Sequence, residues 1–324
     1  MEIGNNSKFA AIAFSRSTSV LKSQVKVAED LYFLPQLPFK VDSTWQEWLG
    51  TLRSDEILQA NLVLFATAPS ANPGVLDAEN QKLQETALKL LYSLLVLGVP
   101  SYGNMNVLSG ANQDGHISVR QVVRMPTFYV GAGNSPYMVN EDAIADARRI
   151  FHSIETIYST PEKFIQLRRG LKAFQQAIAE ANDYDRLHQF VRSIDALLMT
   201  EKGKGAKQFK RRCCTFALNE PQLEQVLNSI YELRGRIEHL TDWNDLFPTA
   251  NFQDRLSAAN RRTRQAEALS RHVYHEILKT PALLSIFKDT QTITDFWRLP
   301  DDQKAPLWPN KFDLDSVGPV TLMP

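Results

Sequence analysis

Apolar residues come first in short unbroken runs and later at helical spacing. Phe9 to Phe14 and Asn61 to Ala66 are runs too short for a helix, and each predicts a buried strand. The second is closed by Pro69 and by Pro73-Gly74, which predict a turn. From Asp77 to Leu97 the pattern changes: Leu83, Ala87, Leu90, Leu91, Leu94 and Leu95 recur at three- and four-residue steps behind Asp77 as N-cap, and Gly98-Val99-Pro100 stops the helix. Ile117 to Val130 is β-branched and aromatic, broken by Pro126, and reads as strand material. Gly131 to Pro136 reads as a boundary loop.

Beyond residue 140 the chain reads as almost wholly helical. One helix is predicted over Glu141–Tyr158, with Ile144, Ala147, Ile150, Phe151 and Ile154 on one face. The next has Pro161 in its first turn and runs to about Ala181. Others are predicted over Tyr184–Met199, over Pro221–Leu240, and over Leu256–Phe287 with a break at Pro281. The tail carries Pro300, Pro306, Pro309, Pro319 and Pro324, which rule out regular helix or sheet and predict a segment laid along the surface. The expected fold class is therefore α+β: a mixed α/β domain over residues 1–139, an all-α bundle over 140–297 and a Pro-rich tail over 298–324.

At roughly 100–200 residues per domain, 324 residues fit that division. An apolar content of 44% supports a sizeable core. Lys+Arg and Asp+Glu stand at 36 each, which excludes a polycationic nucleic-acid binder but leaves room for a local basic patch. That patch is Lys202, Lys204, Lys207, Lys210, Arg211 and Arg212 against Glu201 alone. Two cysteines, the adjacent Cys213 and Cys214, exclude a disulfide scaffold and zinc-ligand spacing. No signal peptide is evident, and no apolar run approaches the roughly 20 residues of a membrane span, so a cytoplasmic location without a membrane partner is expected. His272 and His275 lie three apart with no third ligand in view, and no metal or cofactor is expected. Phosphate-loop, dinucleotide-binding, nucleophile-elbow and His-Glu-x-x-His motifs are absent.

The remaining candidate chemistry is Arg234 and His239 in Tyr231-Glu232-Leu233-Arg234-Gly235-Arg236-Ile237-Glu238-His239. Four stretches precede or follow it in order: Phe174 to Ile178, Asp185 to Leu198 with Asp195 near its end, the basic Lys207 to Phe216, and the closing Ala258 to Leu278. With these stretches, residues 160–290, about 130 of the chain, resemble an Apea-like HEPN domain, a helical family of prokaryotic toxins and antiphage proteins. The resemblance implies a metal-independent ribonuclease, a hydrolase working as a homodimer on RNA such as tRNA, in phage defence or growth arrest. In it Arg234 and His239 are catalytic, Asp195 orients them, and the residues from Lys202 to Arg212 bind RNA.

That chemistry is coherent. RNA supplies its own 2′-OH nucleophile; cleavage needs a base for that proton, an acid for the 5′-oxygen, and a cation for the phosphoryl oxygens. Histidine serves as base or acid near neutrality, and arginine grips phosphate with two parallel bonds. One His cannot do both at once, so a two-fold dimer is expected to supply the second. Five helical positions leave Arg234 and His239 about 140° apart, which requires the helix to end or distort near Gly235. Gly235 after the Arg, Leu240 after the His and Asp195 in place of Glu depart from the family pattern. They fit a second reading, a non-catalytic module that dimerises or binds RNA or protein. The plainer alternatives are a helix C-terminus favouring basic residues and a solvated basic loop. The first domain shows no legible chemistry; it is expected to sense a protein or phage trigger, or to position substrate or partner.

Overall fold

A computed structural model describes residues 2–15, 17, 19–99, 105–128, 138–247 and 251–318. The expected boundary loop at Gly131–Pro136, and Pro100, Pro319 and Pro324, lie outside the described residues. The chain is mixed α/β, with an N-terminal antiparallel sheet followed by helices. It falls into two compact units, which divide between His152 and Ser153.

The first unit is built on a six-stranded sheet ordered β2-β3-β4-β1-β5-β6. Its strands are β1 (Ser7–Phe14), β2 (Val25–Ala28), β3 (Leu31–Leu34), β4 (Leu62–Pro69), β5 (Met105–Gln113) and β6 (His116–Arg124), and every adjacent pair is antiparallel. β1 is central and buried along its whole length, as its unbroken apolar run requires. Its odd positions, Phe9, Ala11 and Ala13, pack with Phe65, Leu108 and Ile57, and with Trp45 and Leu49 of α1 (Ser43–Leu58). Its even positions take the other face, where α2 (Ala78–Leu97) buries Leu83, Ala87, Leu90, Leu91 and Leu94. Asp77 caps α2, accepting from the backbone N–H of Glu79 at 2.9 Å, and the buried ammonium of Lys8 pairs with Asp77 at 2.7 Å and Glu79 at 2.9 Å. α3 (Glu141–Ser159) runs from the first unit into the second.

The second unit contains α4 (Ile165–Ala179), α5 (Asp183–Leu198), α6 (Gly205–Cys213), α7 (Leu223–Glu238), α8 (Phe252–Lys279), α9 (Pro281–Ile286), α10 (Thr290–Arg298) and α11 (Asp301–Lys304). Two expectations need correction. Pro161 does not open α4: residues 161–163 form a turn, Phe164 sits in the left-handed region with its side chain buried and its N–H on Lys288 O at 2.6 Å, and the helix starts at Ile165. The tail is not merely laid on the surface either. It forms the short α11, buries Trp308 and Leu314, and bridges Phe312 to Ala217, because its apolar residues outweigh what its prolines forbid.

α4 and α5 approach closely at Gly170. A β-carbon there would lie 2.9 Å from the carbonyl oxygen of Ser193 and against the hydroxyl of the buried Tyr274, which donates to that same carbonyl at 2.7 Å. Helix propensity alone favours Ala over Gly by about 1 kcal/mol, whereas overpacking a tight core costs about 1–3 kcal/mol. Gly170→Ala is therefore expected to destabilise, lowering the melting temperature by roughly 2–8 °C in thermal unfolding followed by circular dichroism. An unchanged or raised melting temperature would show that the approach is not tight.

Candidate functional site

α5 is the helix on which the site is built. Asn182 caps it, its side chain accepting from the backbone N–H of Tyr184 at 2.9 Å. One face buries Leu187, Phe190, Val191, Ile194, Leu197 and Leu198. On the same helix Arg186 is buried and donates to Glu267 of α8 at 2.8 Å and to Asp183 at 2.9 Å, and the Ser193 hydroxyl lies 2.6 Å from that of Ser270. Residues two positions on are turned by about 200°. His188, Arg192 and Asp195 therefore share the opposite side, at the four- and seven-residue spacing of one helix face.

α7 meets that side antiparallel. At one end the ring of Tyr184 stands 5.6 Å from that of Trp243, just beyond α7. At the other, burial and the nearby Asp195 carboxylate raise the Tyr231 hydroxyl above its ordinary value. Between them lies Arg234. Its guanidinium pairs with Glu238 at 3.0 Å, sits 5.6 Å from the centroid of Tyr231 and acts electrostatically on both Asp195 and His188. Burial pushes the Asp195 carboxyl up to about 6, with Arg234 opposing. Burial, with Arg234 adding to it, holds His188 below the ordinary imidazole range. Three buried polar atoms on this seam have no hydrogen-bond partner: Oδ1 of Asp195, Nε of Arg234 and Nδ1 of His188. Such an atom costs about 1–3 kcal/mol, so three on one seam call for an explanation.

The other predicted catalytic residue lies beyond α7. The helix runs unbroken through Gly235, so the distortion expected there does not occur. His239 is the C-cap and is exposed. The chain then closes in a Schellman arrangement, Leu240 N–H on Ile237 O at 3.1 Å and Thr241 N–H on Arg236 O at 2.9 Å. Leu240 takes the left-handed position that usually falls to glycine, with φ of 52°, and is 94% exposed. Arg236 fixes the next loop by paired bonds to Asp245 at 2.6 and 2.9 Å. Thus Arg234 turns to α5 while His239 opens to solvent.

Of the basic segment, Lys202, Lys207 and Arg211 are exposed and Lys210 is half-buried. Lys204 is exposed and pairs with Glu201 at 2.7 Å. Arg212 departs from the expectation of an RNA contact. It donates to Leu198 O and, at 3.0 Å, to Met199 O, and it stacks 5.3 Å from the Trp297 ring. The carbonyls at the end of α5 have no partners within the helix, and Arg212 supplies them. His272 and His275 are held in place too: Nε2 of His272 bonds Asn310 O at 2.9 Å, and His275 lies 3.3 Å from Glu276, whose carboxyl falls to about 2 under its hydrogen bond from His275. Among the described residues no group of three His, Cys, Asp or Glu could hold a metal ion, and no helix is long and apolar enough to cross a membrane. His188 was not singled out in the sequence; its legible signal was the shared helix face with Arg192 and Asp195.

No family model, curated protein or solved structure matches this chain.

Two stability experiments follow from this geometry. The Asp195 carboxyl holds its proton to about pH 6 when folded, against an ordinary value of 3.8. The native state therefore binds the extra proton between those values, and wild-type stability falls as pH rises through that window. Asp195→Asn removes the penalty, so denaturant titrations are expected to find it gaining on the wild type from pH 4 to pH 7 and losing the gain in acid. A difference that does not vary with pH would place the carboxyl in water. Leu240→Gly relieves a left-handed conformation and loses no burial. It is expected to stabilise by about 1 kcal/mol in the same titrations, and destabilisation would show that Leu240 is packed.

Proposed function

We propose that this chain is a metal-independent RNA endonuclease with an Apea-like HEPN helical domain, cutting by attack of the RNA 2′-OH on its own phosphodiester. In this reading Arg234 binds the scissile phosphate, His239 exchanges the protons, and Asp195 is a positioning residue that orients the guanidinium. The homodimer brings in His239 of the partner subunit as the second imidazole. The single observation that carries the reading is the α5–α7 seam, where an arginine acts electrostatically on a buried carboxylate of raised pKa and buried polar atoms lack partners. Perturbed ionisable groups gathered in one place are the usual mark of a site.

Two further features support it. His239 and Leu240 are exposed side by side, and a strained, solvent-facing leucine next to a candidate catalytic histidine suits a face that a second copy covers. Lys202, Lys207 and Arg211 offer exposed cations for an RNA backbone, with Lys210 beside them. The first unit takes the role of sensing a protein or phage trigger, and the whole acts in phage defence or growth arrest. The second reading, a helical module that binds RNA or protein without cutting, draws on Glu238, which occupies Arg234 in the resting chain.

Purified wild type is expected to cleave tRNA or total RNA with chelator present, and His239→Ala to lose at least about 100-fold in rate, the low end of what a general acid or base contributes. Equal cleavage by the two proteins, or none by wild type, rules out the ribonuclease. A salt-dependent gel shift without cleavage establishes the binding module instead.

A further inference from the structure

We infer that the depression between the end of α6 and the C-terminal tail is a binding site for a phosphate monoester, taken either as a free phosphate compound or as the 5′-end of an RNA. The site shares no lining residue with the α5–α7 seam and does not depend on cleavage.

The tail builds the depression. Phe312 N–H bonds Phe216 O at 2.8 Å, and Leu218 N–H bonds Phe312 O at 2.9 Å, so the tail is strapped to the chain just past α6. Trp308 is buried, with its ring 4.5 Å from that of Phe216. These ties bring Lys304 of α11 and Lys311 up to Arg211 and Thr215, and the four line one hollow of about 240 Å³ with Asn219 and Asp301. A water takes about 30 Å³ of liquid, so a hydrated anion has room there.

Charge selects the ligand. Lys304 is 5% exposed, and its ammonium lies 2.6 Å from Asp301 and 5.7 Å from the centroid of the Trp297 ring. Lysine is almost never this buried without a partner, and here the neutralising carboxylate is itself 76% exposed. Arg211 and Lys311 are exposed and ion-pair with no carboxylate among the described residues. Three cations therefore line the hollow against one carboxylate, a surplus of two. A phosphate monoester carries about −1.5 to −2 at pH 7, whereas a backbone phosphodiester carries a single charge. The surplus matches the monoester.

The donors match it too. Lys304 gives one of its three N–H donors to Asp301, and the Arg211 guanidinium holds a fork of five. Thr215 adds a hydroxyl and Asn219 an amide. The end of α6 opposes an anion, since its last carbonyls carry partial negative charge; Lys311 meets one of them, donating to Cys214 O at 3.4 Å. The Asp301 carboxyl registers the net field. It is held below its ordinary value, first by the hydrogen bond from Lys304 and then by the charges of Lys304, Arg211 and Lys311. Lys207 stands one helical turn before Arg211 on the same face of α6 and is exposed, so an RNA whose 5′-end sits in the hollow finds its next cation there.

The test is calorimetry on the full chain with inorganic phosphate and adenosine 5′-monophosphate. Beside it runs fluorescence anisotropy with a 2′-O-methyl oligoribonucleotide, which 2′-OH chemistry cannot cut, carrying either a 5′-phosphate or a 5′-hydroxyl. Saturable binding of at least one of the phosphate monoesters is expected. Arg211→Gln and Lys311→Gln, both at exposed positions, are each expected to weaken it about 10-fold or more. Lys288→Gln, which removes an exposed cation outside the hollow, is expected to leave it unchanged. Asp301→Asn is expected to tighten it, because the hollow loses the carboxylate that lines it. A preference for the 5′-phosphorylated strand that Arg211→Gln abolishes supports the site and assigns it to an RNA end. Binding of phosphate or the mononucleotide without that preference supports it and assigns a free phosphate compound. No binding by wild type at about 10 mM phosphate, with no 5′-phosphate preference, overturns the inference. So does an equal loss in Lys288→Gln, which would reveal diffuse charge, or weaker binding by Asp301→Asn, which would reveal a ligand other than an anion. None of these outcomes turns on cleavage, so the ribonuclease reading can fail without this one.

Discussion

The ion pair between Arg186 and Glu267 sets how α5 is turned about its own axis, and the rest of the helical unit depends on that rotation. Apolar packing tolerates rotation, because dispersion and water exclusion have no preferred direction. A guanidinium does not, since its donors form a rigid fork. Both side chains are buried, and each keeps a second partner, Asp183 for Arg186 and Arg271 for Glu267, so the pair is the centre of a four-residue ionic network. Ser193 on Ser270 and Tyr274 on the Ser193 carbonyl repeat the constraint two turns along. Three polar ties on one side of a helix fix which residues stand on the other, and those are His188, Arg192 and Asp195.

Towards α8, Arg186 reaches Glu267, Ser193 meets Ser270 and Tyr274 donates to the Ser193 carbonyl. Towards α7, Asp195, Arg234 and His188 each keep a buried atom without a partner. A structure selected only for stability would fill that seam with apolar side chains, which replace buried ion pairs at little loss. An ionisable stripe concedes stability there, and a burial-raised carboxyl such as Asp195 concedes more as pH rises towards neutrality. Concessions of this kind gather at sites that bind something.

Much of this fold was legible, and the failures have physical causes. β1 and β4 were readable because continuous apolar runs of that length suit a strand buried on both faces. α2, α3, α5 and α7 were readable because their apolar stripes repeat over several turns. β5 was not, because Asn106, Ser109, Gly110 and Asn112 interrupt its pattern. The partners that some of those polar groups find come only from the fold: the Asn112 amide donates to Ile3 O at 2.7 Å, and Ser109 meets Gln84 at 2.6 Å. α1 was missed because Gly50, at φ of 73°, breaks its register, and Trp48 and Leu52 lie exposed instead of completing a stripe. β2 and β3, four residues each, are too short to show a period. At the site, Arg234, His239 and Asp195 were nameable as residue types, but the turning of Arg234 towards α5 and away from His239 is a tertiary fact. So is the use of Arg212 to close α5, which no count of charges reveals.

The pairing of Arg234 with Glu238 bears directly on whether this seam can take a phosphate, and magnitudes decide it. Glu238 is exposed, and an ion pair four residues apart on a helix surface contributes about 0.3–0.5 kcal/mol. Each hydrogen bond from a guanidinium to a charged oxygen contributes about 1.5–3 kcal/mol, and a phosphate accepts two in parallel. In the ribonuclease reading a phosphate would therefore outcompete Glu238 for the same donors, and the displaced carboxylate would return to water at small cost. Glu238 holds the arginine extended across the seam while it is empty, a pre-set geometry that spares the ligand the entropy of ordering a long side chain. Its negative charge, left beside the site, also favours the protonated form of a neighbouring imidazole, while Arg234 favours the neutral one. In the ribonuclease reading the same helix end would supply the grip on an anion beside the opposed fields that act on His188, and neither needs the pair to be strong.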